Sequence, residues 1–322
     1  RYCVACHACF DAPCQLDLTH PDGVARGASK QLVYDGTRIE EAQPTRLFID
    51  ARSSADWREK GFFSVTTGVD APSLLLRVLD LKARHPLVPG QPLPDGIELG
   101  IDRDNQCMSS EESAQLAVDD AQLGMPFALP GMKVGAIALI RAWVEQGARA
   151  ETKPPSLTSS ERSQIRQWET WLNSEAHERA LVARWLFEHW AIARLHFDAA
   201  ASGNFFRLVR SVTPPGRPVE EIATRFPNSD PQRRFYYRLQ QHLGTRVAKT
   251  HITFALDNDV LQRIEQLFFA RDWRARVFPG YSESERANPF TTFAAIPPEA
   301  RYRFMLENAG YFVRTFIRGP VC

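Results

Sequence analysis

The chain has 322 residues, a formal net charge of +1, 44% hydrophobic residues and 24% charged ones, the composition of globular protein with room for one large domain or two. The balanced charge gives no electrostatic footing for nucleic acid, and no apolar run reaches the ~20 residues that span a bilayer. Four of the six cysteines (Cys3, Cys6, Cys9 and Cys14) lie near the start, with Cys107 and Cys322 apart. That clustering points to a bound cofactor or metal and away from a distributed disulfide framework. Residue 1 is Arg, and Cys322 follows a segment without any stop signal; these ends predict an internal piece of a longer protein.

In chain order, the cysteine cluster leads into a loop-rich stretch. A helix is predicted at Ser73 to Arg84 and another near Glu111 to Gln122. A stronger one spans Val134 to Gln146, where Val134, Ile137, Leu139, Ile140, Trp143 and Val144 make a broad apolar face and Gly147 a left-handed cap. Ala148 to Ser156, with Lys153-Pro154-Pro155, reads as a linker. A helix then starts on Ser159 or Ser160 and runs to Leu172, where Asn173-Ser174 breaks it. A long helix is predicted from Glu175 to Phe197, then a strand from Asn204 to Thr213 and a turn at Pro214-Pro215-Gly216. Helices are predicted near Asp230 to His242, Asn258 to Ala270 and Pro298 to Asn308.

The run Cys3-Val4-Ala5-Cys6-His7 carries the chemistry of covalent haem attachment. Two thiols one turn apart can add to the two haem vinyl groups, and the adjacent imidazole can reach the iron as an axial ligand. A second ligand is predicted at Met125, because Gly124-Met125-Pro126 leads directly into the Val134 helix, as the closing part of a cytochrome c domain does. Met108 and Met132 are its competitors, and a core-filling Met is the plain alternative. Cys3, Cys6, Cys9 and Cys14 also approach ferredoxin spacing, with the last gap one residue too long, and with His7 they could hold zinc; neither reading accounts for the Met-Pro loop. A disulfide between two of Cys9, Cys14 and Cys107 is compatible with the oxidising compartments in which haem c is attached, as are free packed thiols. If His7 and Met125 both bind iron, no coordination site stays open, so the haem acts by outer-sphere electron withdrawal, the expected mode, or Met125 is displaced in turnover.

Three histidines are weaker catalytic candidates. His189, beside Glu188, and His196 are seven residues apart and so fall on one face if the predicted helix is continuous; His251 follows Lys249-Thr250. A hydrogen-bonded structural histidine is the plain reading of each. The aromatic residues of the Glu175 helix and Phe205-Phe206 could wall an apolar channel, or be ordinary core. Arg207, Arg210 and the Arg233-Arg234 pair could hold a phosphate or carboxylate; a solvated basic face is the plain reading.

The sequence as a whole resembles the bacterial fatty acid cis/trans isomerases over nearly all 322 residues. The stretches that carry the resemblance are Cys3 to Leu18, Val33 to Arg38, Pro44 to Phe48, Gly124 to Pro126, Ala183 to His189, Ala248 to His251, Asn288 to Pro297 and Phe316 to Cys322. The resemblance implies a periplasmic enzyme with haem c (iron) held by Cys3, Cys6 and His7. It also implies conversion of cis-unsaturated acyl chains of a fatty acid or phospholipid into trans isomers, without double-bond migration, with peripheral membrane contact as a stress adaptation. The expected fold is mainly α, with a cytochrome c-like domain at 1–149. A helical region with minor strand content follows at 150–322, incomplete at its C-terminus. A c-type electron carrier, a cytochrome subunit of a dehydrogenase and a haem sensor domain are the alternatives.

Overall fold

The computed structural model describes residues 2–8, 12–31, 43–68, 72–100, 107–115, 123–150, 155–197, 202–244 and 253–318. The chain divides into two compact units, Arg1–Lys153 and Pro154–Gly319. Among the described residues it is mostly helical, with eleven α-helices and one four-stranded sheet, and no helix there is long and apolar enough to cross a membrane.

The first unit holds α1 (Pro21–Arg26), α2 (Ser54–Glu59), α3 (Leu74–Arg84) and α4 (Val134–Glu145). Helix α3 follows its predicted bounds, with Leu76 and Leu79 one turn apart on a buried face and Leu81 buried beyond them. Of the segment read as a helix at Glu111 to Gln122, only a 3-10 turn at Glu112–Gln115 lies within the described residues. Helix α4 also keeps its predicted bounds, with Gly147 beyond it at φ 89°. Its apolar face is not all core, since Val134 is 84% and Leu139 72% exposed. Arg26 organises this unit. Buried against the rings of Trp57 and Phe62, its guanidinium donates to the carbonyls of Thr45 and Gln15. Burial lowers its pKa, with the Asp17 carboxylate pulling the other way.

The second unit opens with α5 (Ser159–Leu172). Its cap is Thr158, one residue before the predicted pair. The Thr158 hydroxyl takes the Glu161 N–H while the Glu161 carboxylate takes the Thr158 N–H, a reciprocal arrangement that the Thr-x-x-Glu spacing supplies. Glu161 is itself buried and also accepts from the side chains of Ser202 and Asn204, which fixes the start of α5 to the segment entering the sheet.

Helix α6 (His177–Trp190) is shorter than predicted. After Trp190 the chain turns at Ala191-Ile192 and enters β1 (Arg194–His196). The local sequence has no breaker there; pairing with strands on both sides of β1 overrides its helical propensity. Strand β2 (Phe206–Ser211) lies inside its predicted span. Strand β3 (Tyr236–Gln241) replaces the helix expected at Asp230 to His242, and β4 (Thr253–Ala255) was not anticipated. The order is β3-β2-β1-β4, with β2 antiparallel to β1 and β3, and β1 parallel to β4. Tyr237 and Leu239 alternate into the core, and the Leu208–Leu239 register sets the pairing. Asn173, just past α5, clamps β3 by exchanging two hydrogen bonds with the backbone of Tyr237.

The unit closes with α7 (Asn258–Phe269), α8 (Glu283–Arg286), α9 (Pro289–Thr292), α10 (Pro298–Glu307) and α11 (Ala309–Arg318). Helix α6 sits in the middle of this core: Leu181, Val182, Ala183 and Leu186 are 0% exposed. Truncating Leu186 to Ala is expected to cost about 3 kcal/mol. Chemical denaturation checks this, and a loss below about 1 kcal/mol would show that the core closes over the gap.

Candidate functional site

The turn predicted to anchor a cofactor is formed. The N–H groups of Cys6 and His7 both donate to the Cys3 carbonyl, at 3.2 and 2.9 Å, which places Cys3, Cys6 and His7 on one helical turn. The Leu18 N–H bonds the His7 carbonyl at 2.9 Å and holds the turn against the following segment. Cys3 is half-buried, Cys6 is exposed, and both are free thiols. Burial raises the Cys3 pKa. It lowers that of His7, against a smaller pull from the backbone of Leu16 and Pro13 and from Asp17. His7 Nδ1 is buried without a hydrogen-bond partner.

Cys14 is bonded to Cys107. That bond resolves the open pairing among Cys9, Cys14 and Cys107 for two of the three, and it removes Cys14 from any four-cysteine cluster or zinc set. Cys9, Cys322 and His251 lie outside the described residues.

Met125 is in the same unit, on a loop pressed against α3. Its N–H donates to the Val78 carbonyl at 2.9 Å. The preceding Gly124 is buried, and a Cβ there would come within 2.7 Å of the Lys82 backbone nitrogen. Only glycine permits so close an approach, so the position of Met125 depends on Gly124. Among the described residues no three His, Cys, Asp or Glu side chains form a metal-binding group.

The histidines of the second unit are not on one helical face. His189 is in the last turn of α6, whereas His196 is on β1, edge-on to Phe205 at 5.7 Å. The break at Trp190 separates them. His189 lies 3.9 Å from the Trp185 ring, with Phe304 and Phe312 edge-on at 5.9 and 5.7 Å. Its Nδ1 is 2.7 Å from the Trp185 carbonyl. A carbonyl only accepts, so Nδ1 carries the proton and Nε2 the lone pair of a neutral ring. Burial lowers the His189 pKa, opposed by that carbonyl. Glu188 does not serve His189; its Oε1 receives Arg184 Nε at 2.8 Å. Trp185, Phe187, Trp190 and Phe206 are 0–7% exposed and pack together as core.

The basic residues read as one solvated face separate as well. Arg207 is paired with Glu221, and Arg233 and Arg234 are exposed. Arg210 is buried at 2% exposure. The sequence reading passed over Arg184, which is 1% exposed; its i,i+4 spacing to Glu188 was the available signal.

Two expectations follow. Gly124→Ala should destabilise the first unit by about 1–3 kcal/mol through overpacking on α3, read from chemical denaturation; an unchanged midpoint would mean the loop lifts off freely. Because the His189 pKa is depressed on folding, its neutral form favours the folded state. That contribution is complete above the unfolded value near 6.5 and is lost as pH falls through the folded one. Wild type should therefore lose its stability advantage over His189→Phe between about pH 7.5 and pH 5. A constant difference between the two proteins over that range would refute the assignment.

No curated protein and no solved structure matches the chain. Residues 42–322 match the family described as fatty acid cis/trans isomerase (CTI), a span that begins after the Cys3–His7 turn and contains Met125, both histidines and the whole second unit. The chain belongs to the fatty acid cis/trans isomerase family, a family of enzymes.

Proposed function

We propose that this enzyme carries a covalent haem c, which Cys3 and Cys6 would attach and His7 and Met125 would hold by its iron, and that it isomerises cis-unsaturated acyl chains in the periplasm without moving the double bond. In this reading the first unit is a cytochrome c-like domain. The carrying observation is the state of the cysteines: Cys3 and Cys6 stay free on the turn that holds His7, while Cys14 is bonded to Cys107. Two thiols and an imidazole on one turn fit the donor set of a haem attachment site.

When bound, the haem supplies an electron-poor iron that can weaken the π component of a C=C bond. The chain does the rest. Cys3 and Cys6 fix the group at two points, the Leu18 bond holds the His7 backbone, and Gly124 on α3 sets the Met125 loop. Burial keeps His7 neutral and so able to donate its lone pair. The Cys14–Cys107 bond suits an oxidising compartment. Peripheral contact with lipid belongs to the same reading, and α4 offers exposed Val134 and Leu139 to it.

The test is gas chromatography of fatty acids after incubating full-length, haem-loaded protein with vesicles of cis-monounsaturated lipid. Trans isomers are expected with the intact protein. The Cys6→Ala/His7→Ala variant should lose both the covalent haem and the trans product. If a protein with a normal haem spectrum makes no trans isomer, electron transfer becomes the better account. Equal product from the variant would remove the haem from the reaction.

A further inference from the structure

Two arginines are buried around the same tyrosine, Tyr281, in the second unit with too little negative charge to match them. Arg210, on β2, is 2% exposed. Its guanidinium donates to neutral acceptors, the Ser229 carbonyl at 2.9 Å and the Thr224 hydroxyl at 2.8 Å, and no carboxylate pairs with it among the described residues. The rings of Phe187, Phe235 and Tyr281 surround it at 5.1, 5.5 and 5.7 Å. Arg184, on α6, is 1% exposed. Its Nε meets Glu188, and its Nη1 donates to the carbonyls of Pro279 and Gly280. Its Nη2 is buried with no partner at all. Tyr281 lies flat over it, 3.9 Å from guanidinium carbon to ring centroid, and so touches both arginines.

Tyr237 joins the group. It is the cross-strand partner of Arg210 and packs on Phe187 and Phe235. Burial and Tyr281 hold its hydroxyl protonated, against the pull of Arg210 and Arg184. It therefore brings no negative charge to the guanidiniums beside it. Glu188 is the one carboxylate paired inside. Glu285 feels Arg184 from the rim, but its oxygens are taken by the N–H of Gly280 and by Ser282. Fully buried arginine is rare unless it is paired, and aromatic faces offset only part of the loss of hydration.

We propose that Arg184 and Arg210 form an oxyanion site that receives the charged end of the lipid substrate, a carboxylate or a phosphate, beneath Tyr281. The site rests on the fatty acyl reading of the family. Arg184 Nη2 and the Arg210 fork supply the planar donors that such groups accept. The aromatic box around them suits the first methylenes of an acyl chain. Pro279 and Gly280 hold Arg184 through their carbonyls and Tyr281 covers it with its ring, so admission to Arg184 Nη2 requires this loop, between α7 and α8, to yield.

The test compares oleate, methyl oleate and oleoyl lysophosphatidylglycerol. Each is titrated calorimetrically, below its aggregation limit, into the full haem-loaded protein, with Arg210→Met and Arg184→Lys in parallel. Trans product is measured on the same samples. At least one anion should bind about ten-fold or more tightly than methyl oleate. Each variant should abolish that preference while methyl oleate binds as before. The tighter of the two anions identifies the source, free acid or phospholipid. Should Arg210→Met fail to fold by circular dichroism, Arg184→Lys, which keeps the charge and loses the fork, decides alone. The site is overturned if wild type binds all three ligands equally, or if a folded variant keeps the preference. Trans product formed equally from oleate and methyl oleate, with no anion preference, would refute the site and leave the isomerase reading standing. An anion preference lost in both variants, without any trans product, would establish the site and refute the activity.

Discussion

From Leu181 onward helix α6 has no face to give to water, and the second unit is arranged around that fact. From Leu181 to Phe187 every side chain is at most 7% exposed. A helix buried all round must carry apolar residues on every side or find internal partners for those that are polar. Arg184, Glu188 and His189 are the polar residues of its second half: Glu188 and two loop carbonyls take Arg184 Nε and Nη1, leaving Nη2 over, and the carbonyl one turn back takes His189. The sheet, α5, α7 and α10 contribute to the same core. Because packing fixes these side chains, the polar groups on α6 are held in place with little rotational freedom.

How much of this is legible in the sequence depends on how local each cause is. The bounds of α3, α4, α7 and α10 follow from apolar spacing and end signals that lie within the helices themselves. The end of α6 does not, because nothing between Trp190 and Arg194 breaks a helix; β1 exists because β2 and β4 flank it. Strand β3 was misread for a related reason. Its Arg, Leu and Gln residues suit a helix, and its place beside β2 is what makes them a strand. Among functional residues, the Cys3–His7 turn is readable because its geometry is set within five positions. The burial of Arg210 is not, since it depends on Phe187, Phe235 and Tyr281, which arrive from elsewhere in the chain.

The first unit works by a different economy. Few of its helices are long, and much of its order comes from side chains bonding to backbone across loops. Arg26 reaches Thr45 and Gln15, and Arg58 reaches the carbonyls of Arg26 and Ala25. The Cys14–Cys107 bond adds a covalent tie across a separation of 93 residues.

The strand order of the second unit has a consequence for how the chain reaches its final form. Strand β1 pairs with β2 along one edge, but its other edge waits for β4, a parallel partner whose residues follow β3 in the chain. Parallel pairing across so long a crossover is slow, because loop closure precedes the contacts that reward it. During synthesis, α6 and β1 therefore leave the ribosome before the segment that completes their sheet. For that interval the Leu181–Phe187 stretch has water on a side that the finished enzyme never exposes, which makes it the natural client of a holding chaperone.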